Sequence, residues 1–287
     1  MQSERGMVEC NGRDGHYILG QAIVQEEDLL HEFKGHRSIS IHDIHNMCLQ
    51  SGGAPERTRN AVSISIGAML NSGYGGIIYL GVTDNGQVRG LTLTRYQMDH
   101  IEASLEWTLG RFTPPVPDSR YRVDFVPVVS NKTQRLSHDI EEHVDSKRRS
   151  RPHHVAQPNY CWCDIDAAAQ QALGKLPILY VVEIHVRPWE PHSLQGRNLG
   201  ISQTPALPPL HLNEASSCFF RQSCRQPRLC LEDVRRLLVH RVQEHYTLKL
   251  AALEHRYEAL QHLARQHNVT FATDMHPSDV DDVQVKK

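Results

Sequence analysis

Gly75-Gly76-Ile77-Ile78-Tyr79-Leu80-Gly81-Val82-Thr83-Asp84-Asn85-Gly86-Gln87-Val88-Arg89-Gly90 is the stretch on which the fold turns. Ile77 to Val82 is a short apolar run rich in β-branched residues and bounded by glycine, the pattern of a buried strand. Asp84-Asn85-Gly86 is a turn signal, because Asn and Gly tolerate positive φ. Gln87 to Gly90 then begins a return strand. Asp84 therefore sits at the lip of a hairpin, either as a plain turn-former or as a carboxylate aimed at a ligand.

Working outward, Ser51-Gly52-Gly53-Ala54-Pro55 breaks the chain upstream. Pro55 suits a first helical position and Glu56 suits a first turn. Val62, Ile66, Met69 and Leu70 then mark one helix face, so a helix is expected over Pro55–Leu70. Further back, His31–Ser40 reads as a strand and its exit, and Ile41–Leu49 as a short helix in which Cys48 is a small buried apolar residue. Downstream, Met98, Ile101, Leu105 and Leu109 recur at helical intervals within Tyr96–Phe112, and Thr113-Pro114-Pro115-Val116-Pro117 ends that helix. Arg120–Val129 and Pro177–Val186 read as strands. The expected fold is α+β: a mixed, mostly antiparallel sheet flanked by the helices Pro55–Leu70 and Tyr96–Leu109, followed by a long C-terminal helix.

The chain has 287 residues, 39% apolar and 22% charged, with a net charge of −2. It is not basic overall, so any nucleic-acid surface is local. No basic segment followed by an apolar core opens it, and no run of 18 apolar residues occurs, so neither a signal peptide nor a membrane span is expected. Seven scattered Cys fit a reducing compartment, cytoplasmic or nuclear.

The organisation follows from composition. Residues 1–20 read as a flexible lead-in and 21–238 as one domain. Within it, 131–157 is a charged, exposed insertion carrying Lys147, Arg148, Arg149 and Arg151, which is either a solvated loop or a patch that tracks phosphates. Arg187–Leu212 is loop. In the helix from Leu231 to about Gln266, Tyr246, Leu250, Leu253, Tyr257, Leu260 and Ala264 alternate steps of four and three, a heptad seam. The segment 239–267 is thus a coiled-coil-like helix, and 268–287 a disordered tail.

Three separated blocks resemble one family. Glu27-x4-Glu32-Phe33-Lys34 is followed by Asn71-x3-Gly75-Gly76, then by the hydrophobic strand and Gly81-Val82-x-Asp84-Asn85-Gly86-x-Val88-x-Gly90. Their order is similar to the AlbA-like domain of the Schlafen family over about Glu27–Val129. Leu176–Val186 and Cys218–Leu238 resemble its later strand and closing segment, with Arg221 at a position that either faces the acidic centre or caps the sheet edge.

The resemblance implies an endoribonuclease that cleaves structured RNA, such as tRNA-like hairpins or small-RNA precursors. Glu27, Glu32 and Asp84 would hold Mg²⁺ or Mn²⁺, and Lys34 would balance phosphate oxygens. Clustered carboxylates repel each other unless a cation neutralises them, and that cation orients phosphate and acidifies bound water. Spacing alone does not bring Glu27 and Glu32 together, since a five-residue step separates them on a strand or a helix. The alternative is a non-catalytic RNA- or nucleotide (ATP)-binding adaptor assembled through its C-terminal helix, although no phosphate-binding loop is present. Schlafen domains pair into a cradle, so a homo- or hetero-oligomer through the sheet domain or the helix is expected. Their zinc ligands, beside the strand matching Leu176–Val186, have no Cys counterparts here. Cys161-Trp162-Cys163, with His153 and His154 upstream, matches no strong zinc template. A structural zinc is not predicted.

Overall fold

The structure is a computed structural model that describes residues 15–44, 60–130, 145–156, 161–174, 178–189 and 207–266. In chain order its elements are β1 (Tyr17–Ile18), β2 (His31–Lys34), α1 (Val62–Ser72), β3 (Gly76–Leu80), β4 (Leu91–Thr92), α2 (Arg95–Gly110), β5 (Tyr121–Val129), α3 (Ser146–Arg149), α4 (Trp162–Ala172), β6 (Leu179–Val186), β7 (Cys218–Phe219), β8 (Arg228–Leu229) and α5 (Leu231–Gln266). The chain divides into two units, Met1–Val234 and Arg235–Lys287.

The first unit is built on β6. It pairs antiparallel with β3, with β5 and, at its start, with β4. The outer strands are parallel to their neighbours: β2 lies beside β3 and β1 beside β5. The sheet order is therefore β1-β5-β6-β3-β2, mixed and mostly antiparallel as expected, in an α+β fold. Tyr17 and Ile18, assigned from the sequence to a loose lead-in, are instead a strand, because Tyr17 is buried and its backbone pairs with Val128.

Alternation along the strands gives the sheet two different faces. Ile78, Leu80, Val182, Ile184 and Val186 pack with Val62, Ile66, Met69 and Leu70 of α1 and Ile101, Leu105 and Leu109 of α2. Tyr17, Phe33, Ile77, Tyr79, Val128 and Val181 form a second cluster on the other face.

The described part of the first expected helix begins at Val62, and Pro55 lies outside the described residues. The helix is buried on nearly every side from Val62 to Asn71, and its polar Ser63, Ser65 and Asn71 are hydrogen-bonded to other segments. Gly73, in the left-handed conformation, ends it and donates its N–H to the carbonyls of Met69 and Leu70. Thr94 and Gln97 cap the start of α2 reciprocally. Ile41–Asp43 is a single 3₁₀ turn, and residues 45–49 of the expected short helix lie outside the described residues. Cys218–Phe219 does not join the main sheet but pairs with Arg228–Leu229 in a separate two-stranded sheet. Among the described residues no helix is long and apolar enough to cross a membrane.

Gly76 has φ +148, and a Cβ there would stand 2.4 Å from the Leu30 carbonyl oxygen. Neither backbone can yield without breaking the β2–β3 pairing. Gly76→Ala is expected to lower the unfolding free energy by about 2 kcal/mol or more. Gly110→Ala, where a Cβ meets nothing within 4 Å, serves as the control. Urea denaturation of both variants checks this; equal midpoints would show that the contact is relieved locally.

Candidate functional site

The acidic block is shaped by the turn that leads into β2. Asp28 Oδ1 accepts from the N–H groups of Leu30 (2.7 Å) and His31 (2.8 Å), folding the chain back on itself. That turn sets Glu27 beside the strand it precedes, where its Oε1 accepts from Phe33 N at 2.9 Å. The five-residue separation from Glu32 is thereby closed by the turn and not by a helix or strand period.

Glu32 and Lys34 are two apart on β2 and so share a face. Glu32 pairs in register with Ile78, which places it on the side covered by α1. It is 4% exposed. Its Oε1 accepts from Lys34 Nζ at 2.5 Å and from Ser65 Oγ of α1 at 3.3 Å. Its Oε2 is paired with the Arg221 guanidinium. Arg221 is itself fully buried, and it also donates to the carbonyls of Asp28 and His31. Arg221 meets both sequence readings: it faces Glu32 of the acidic block, and its donations to the Asp28 and His31 carbonyls cap the edge strand β2.

Asp84 is exposed in the turn closed by Gly86 N–H donating to Thr83 O at 2.7 Å. The turn is held against the strand layer by Ile23 N–H donating to Gly86 O. Burial raises the Glu27 carboxyl above the ordinary carboxylate range. The charges of Glu32 and Asp84 push it the same way, against the Phe33 N–H and Lys34, which lower it. Glu27, Glu32, Lys34 and Asp84 thus occupy one electrostatic neighbourhood. The three carboxylates are nonetheless not among the groups of described residues whose ligand atoms all lie within 4.8 Å of one another.

Two such groups do occur, and neither was anticipated as a set. Asp124 of β5 and Glu183 and His185 of β6 converge on the face opposite α1, with Asp124 in register with Glu183. His185 Nε2 lies 2.9 Å from Glu183 Oε2 and 3.2 Å from Asp124 Oδ2, and Tyr17 Oη donates to Glu183 Oε1 at 2.5 Å. This buried carboxylate–imidazole group could hold a metal. Its sequence signal was the polar alternation of Glu183 and His185 inside an apolar strand. The second group is His100, His153, Cys161 and Cys163.

The basic cluster is partly neutralised in place. Lys147, Arg148 and Arg149 lie on α3, where Arg149 makes a two-pronged pair with Asp99 and Arg148 pairs with Asp166. Residues 131–144 of the same insertion lie outside the described residues.

Removing Arg221 would leave Glu32 as a buried charge balanced only by Lys34. Arg221→Met is expected to cost about 3–5 kcal/mol of stability, and adding Glu32→Gln to recover part of that loss. A double-mutant cycle by chemical denaturation measures the coupling; strictly additive losses would mean that the two side chains do not share their charge.

A family model described as Schlafen, AlbA_2 matches residues 27–195, more than half of the chain.

Proposed function

Because the chain belongs to the Schlafen AlbA_2 family, we propose that it is a metal-dependent endoribonuclease acting on structured RNA at Glu27, Glu32, Asp84 and Lys34. The observation that carries this reading is the turn at Asp28, which sets Glu27 beside Phe33 N on β2 and near Glu32 and Asp84; burial, with the charges of those two, raises its carboxyl. Carboxylates that raise one another in this way favour a divalent cation.

The residues fit such an ion unequally. Glu27 and exposed Asp84 are the ligands most open to it. Glu32 would contribute the oxygen that Arg221 does not hold, Oε1, which Lys34 and Ser65 already contact. Bound Mg²⁺ or Mn²⁺ would supply a polarised phosphate and an acidified water. Arg221 holds Glu32 Oε2 in a buried ion pair and so orients the carboxylate. Lys34 moves from its pair with Glu32 to the non-bridging oxygens of a phosphate, as a compact charge can. Lys147 and Arg151 contact RNA outside the centre, while Arg148 and Arg149 first position α3 against Asp166 and Asp99.

Purified protein is expected to cut a tRNA-like hairpin with Mn²⁺ or Mg²⁺. Glu27→Gln and Asp84→Asn should each reduce the rate by roughly a hundredfold or more, equivalent to about 3 kcal/mol. Metal binding must displace the proton favoured by the raised Glu27, so affinity for Mn²⁺ should strengthen as pH rises through and above the carboxylate range. Cleavage that persists in both variants would move the chemistry elsewhere. RNA binding without cleavage in the unaltered protein would favour the adaptor reading, in which RNA or ATP is held but not hydrolysed.

The same family reading calls for a second domain to complete an RNA cradle, and we assign that role to a second copy joined through α5. Tyr246, Leu250, Leu253, Tyr257 and Leu260 repeat at heptad spacing and are each exposed. Covering each such side chain is worth roughly 1.5–3 kcal/mol. Sedimentation is expected to give a dimer for the full chain and a monomer for a chain ending at Arg241. A full-length monomer would remove self-association, and a truncated dimer would put the interface on the sheet unit.

A further inference from the structure

We propose that His100, His153, Cys161 and Cys163 bind one zinc ion that staples α2, the segment after α3 and the start of α4 together. The four side chains come from three separate stretches of chain, and each presents one ligand atom within 4.8 Å of all the others. Cys161 Sγ lies 3.5 Å from His153 Nδ1, and Cys163 Sγ lies 3.5 Å from His100 Nδ1. A tetrahedral ion with Zn–S near 2.3 Å and Zn–N near 2.0–2.1 Å requires a sulfur–nitrogen edge of about 3.6 Å. The two sulfur–nitrogen pairs already stand at that separation.

The chemistry of the set points to zinc. Two thiolates and two neutral imidazoles are the tetrahedral S₂N₂ arrangement that zinc favours. Two thiolate charges also cancel the ion's charge, as a site this buried demands: Cys161 and Cys163 are 0% exposed and His100 is 5% exposed. With four protein ligands no position is left for water or substrate, so the ion is structural and not catalytic.

The surroundings are arranged as a ligand shell needs. Cys161 stands at the N-cap position of α4 and Cys163 in its first turn, so both sulfurs lie at the helix start. The backbone N–H of His154 points at Cys161 Sγ, 3.4 Å away. Trp162, between the two cysteines, stacks on the His153 ring while its Nε1 donates to Pro152 O. Tyr96 meets the Trp162 ring edge to face, and the His100 and His153 rings meet in the same way. Without an ion, the same arrangement buries two thiols and two imidazoles against one another, and His153 Nε2 has no hydrogen-bond partner.

The test uses the full chain purified without chelator. Elemental analysis is expected to find one zinc per chain. Exchange for Co²⁺ should give the intense visible bands of a tetrahedral centre together with thiolate-to-cobalt charge transfer. Cys163→Ser and His100→Asn should each lose the ion and the spectrum. Cys224→Ser and Cys230→Ser, at exposed cysteines outside the cluster, should keep both. The cobalt spectrum is read on the unaltered protein and so does not depend on any variant folding. Absence of a tetrahedral cobalt spectrum, a metal retained in Cys163→Ser, or a Cys161–Cys163 disulfide in freshly purified protein would each overturn the proposal.

Discussion

The ion pair between Glu32 and Arg221 is the constraint around which the first unit is arranged. A carboxylate on a strand, facing the apolar side of a sheet and covered by a helix, is tolerable only if a cation is brought to it. Arg221 supplies that cation from a segment that would otherwise be a surface loop. Its guanidinium also takes up the carbonyls of Asp28 and His31, and so fixes the turn that presents Glu27. The tight β7–β8 sheet, the burial of α1 between that sheet and the main one, and the acidic neighbourhood all depend on this contact. It joins residues that no local pattern relates.

What the sequence made legible follows from how each signal arises. Strands β3, β5 and β6 and helix α2 declare themselves through periodicity, because each buries one side or both in the core. The long α5 does so through its apolar spacing. Strand β1 was missed because two residues cannot carry a period. Helix α4 was missed although Ala167-Ala168-Ala169 and the Gln pair after it favour helix strongly.

The sites divide along the same line. Glu27, Glu32 and Asp84 are singled out by motif order alone, and the turn at Asp28 that brings Glu27 back has no period and shows only as a short Asx pattern. The partners of Arg148 and Arg149 are Asp166 and Asp99, each on a different helix, so a run of positive residues could not reveal its own neutralisation. His100 belongs to the apolar-periodic part of α2, where a single histidine looks like core. Only the fold sets it beside cysteines more than sixty residues later.

Strand β6 has a consequence for how the protein is made. It is the hub of the sheet, yet it lies at Leu179–Val186, and the cation for Glu32 follows 189 residues after its partner. At about 5–20 residues per second of synthesis, the acidic turn and α1 wait roughly ten to forty seconds for Arg221. During that interval β3 lacks the neighbour it pairs with along its full length, and its apolar edge is open. The first unit can therefore close only after Arg221 has been made.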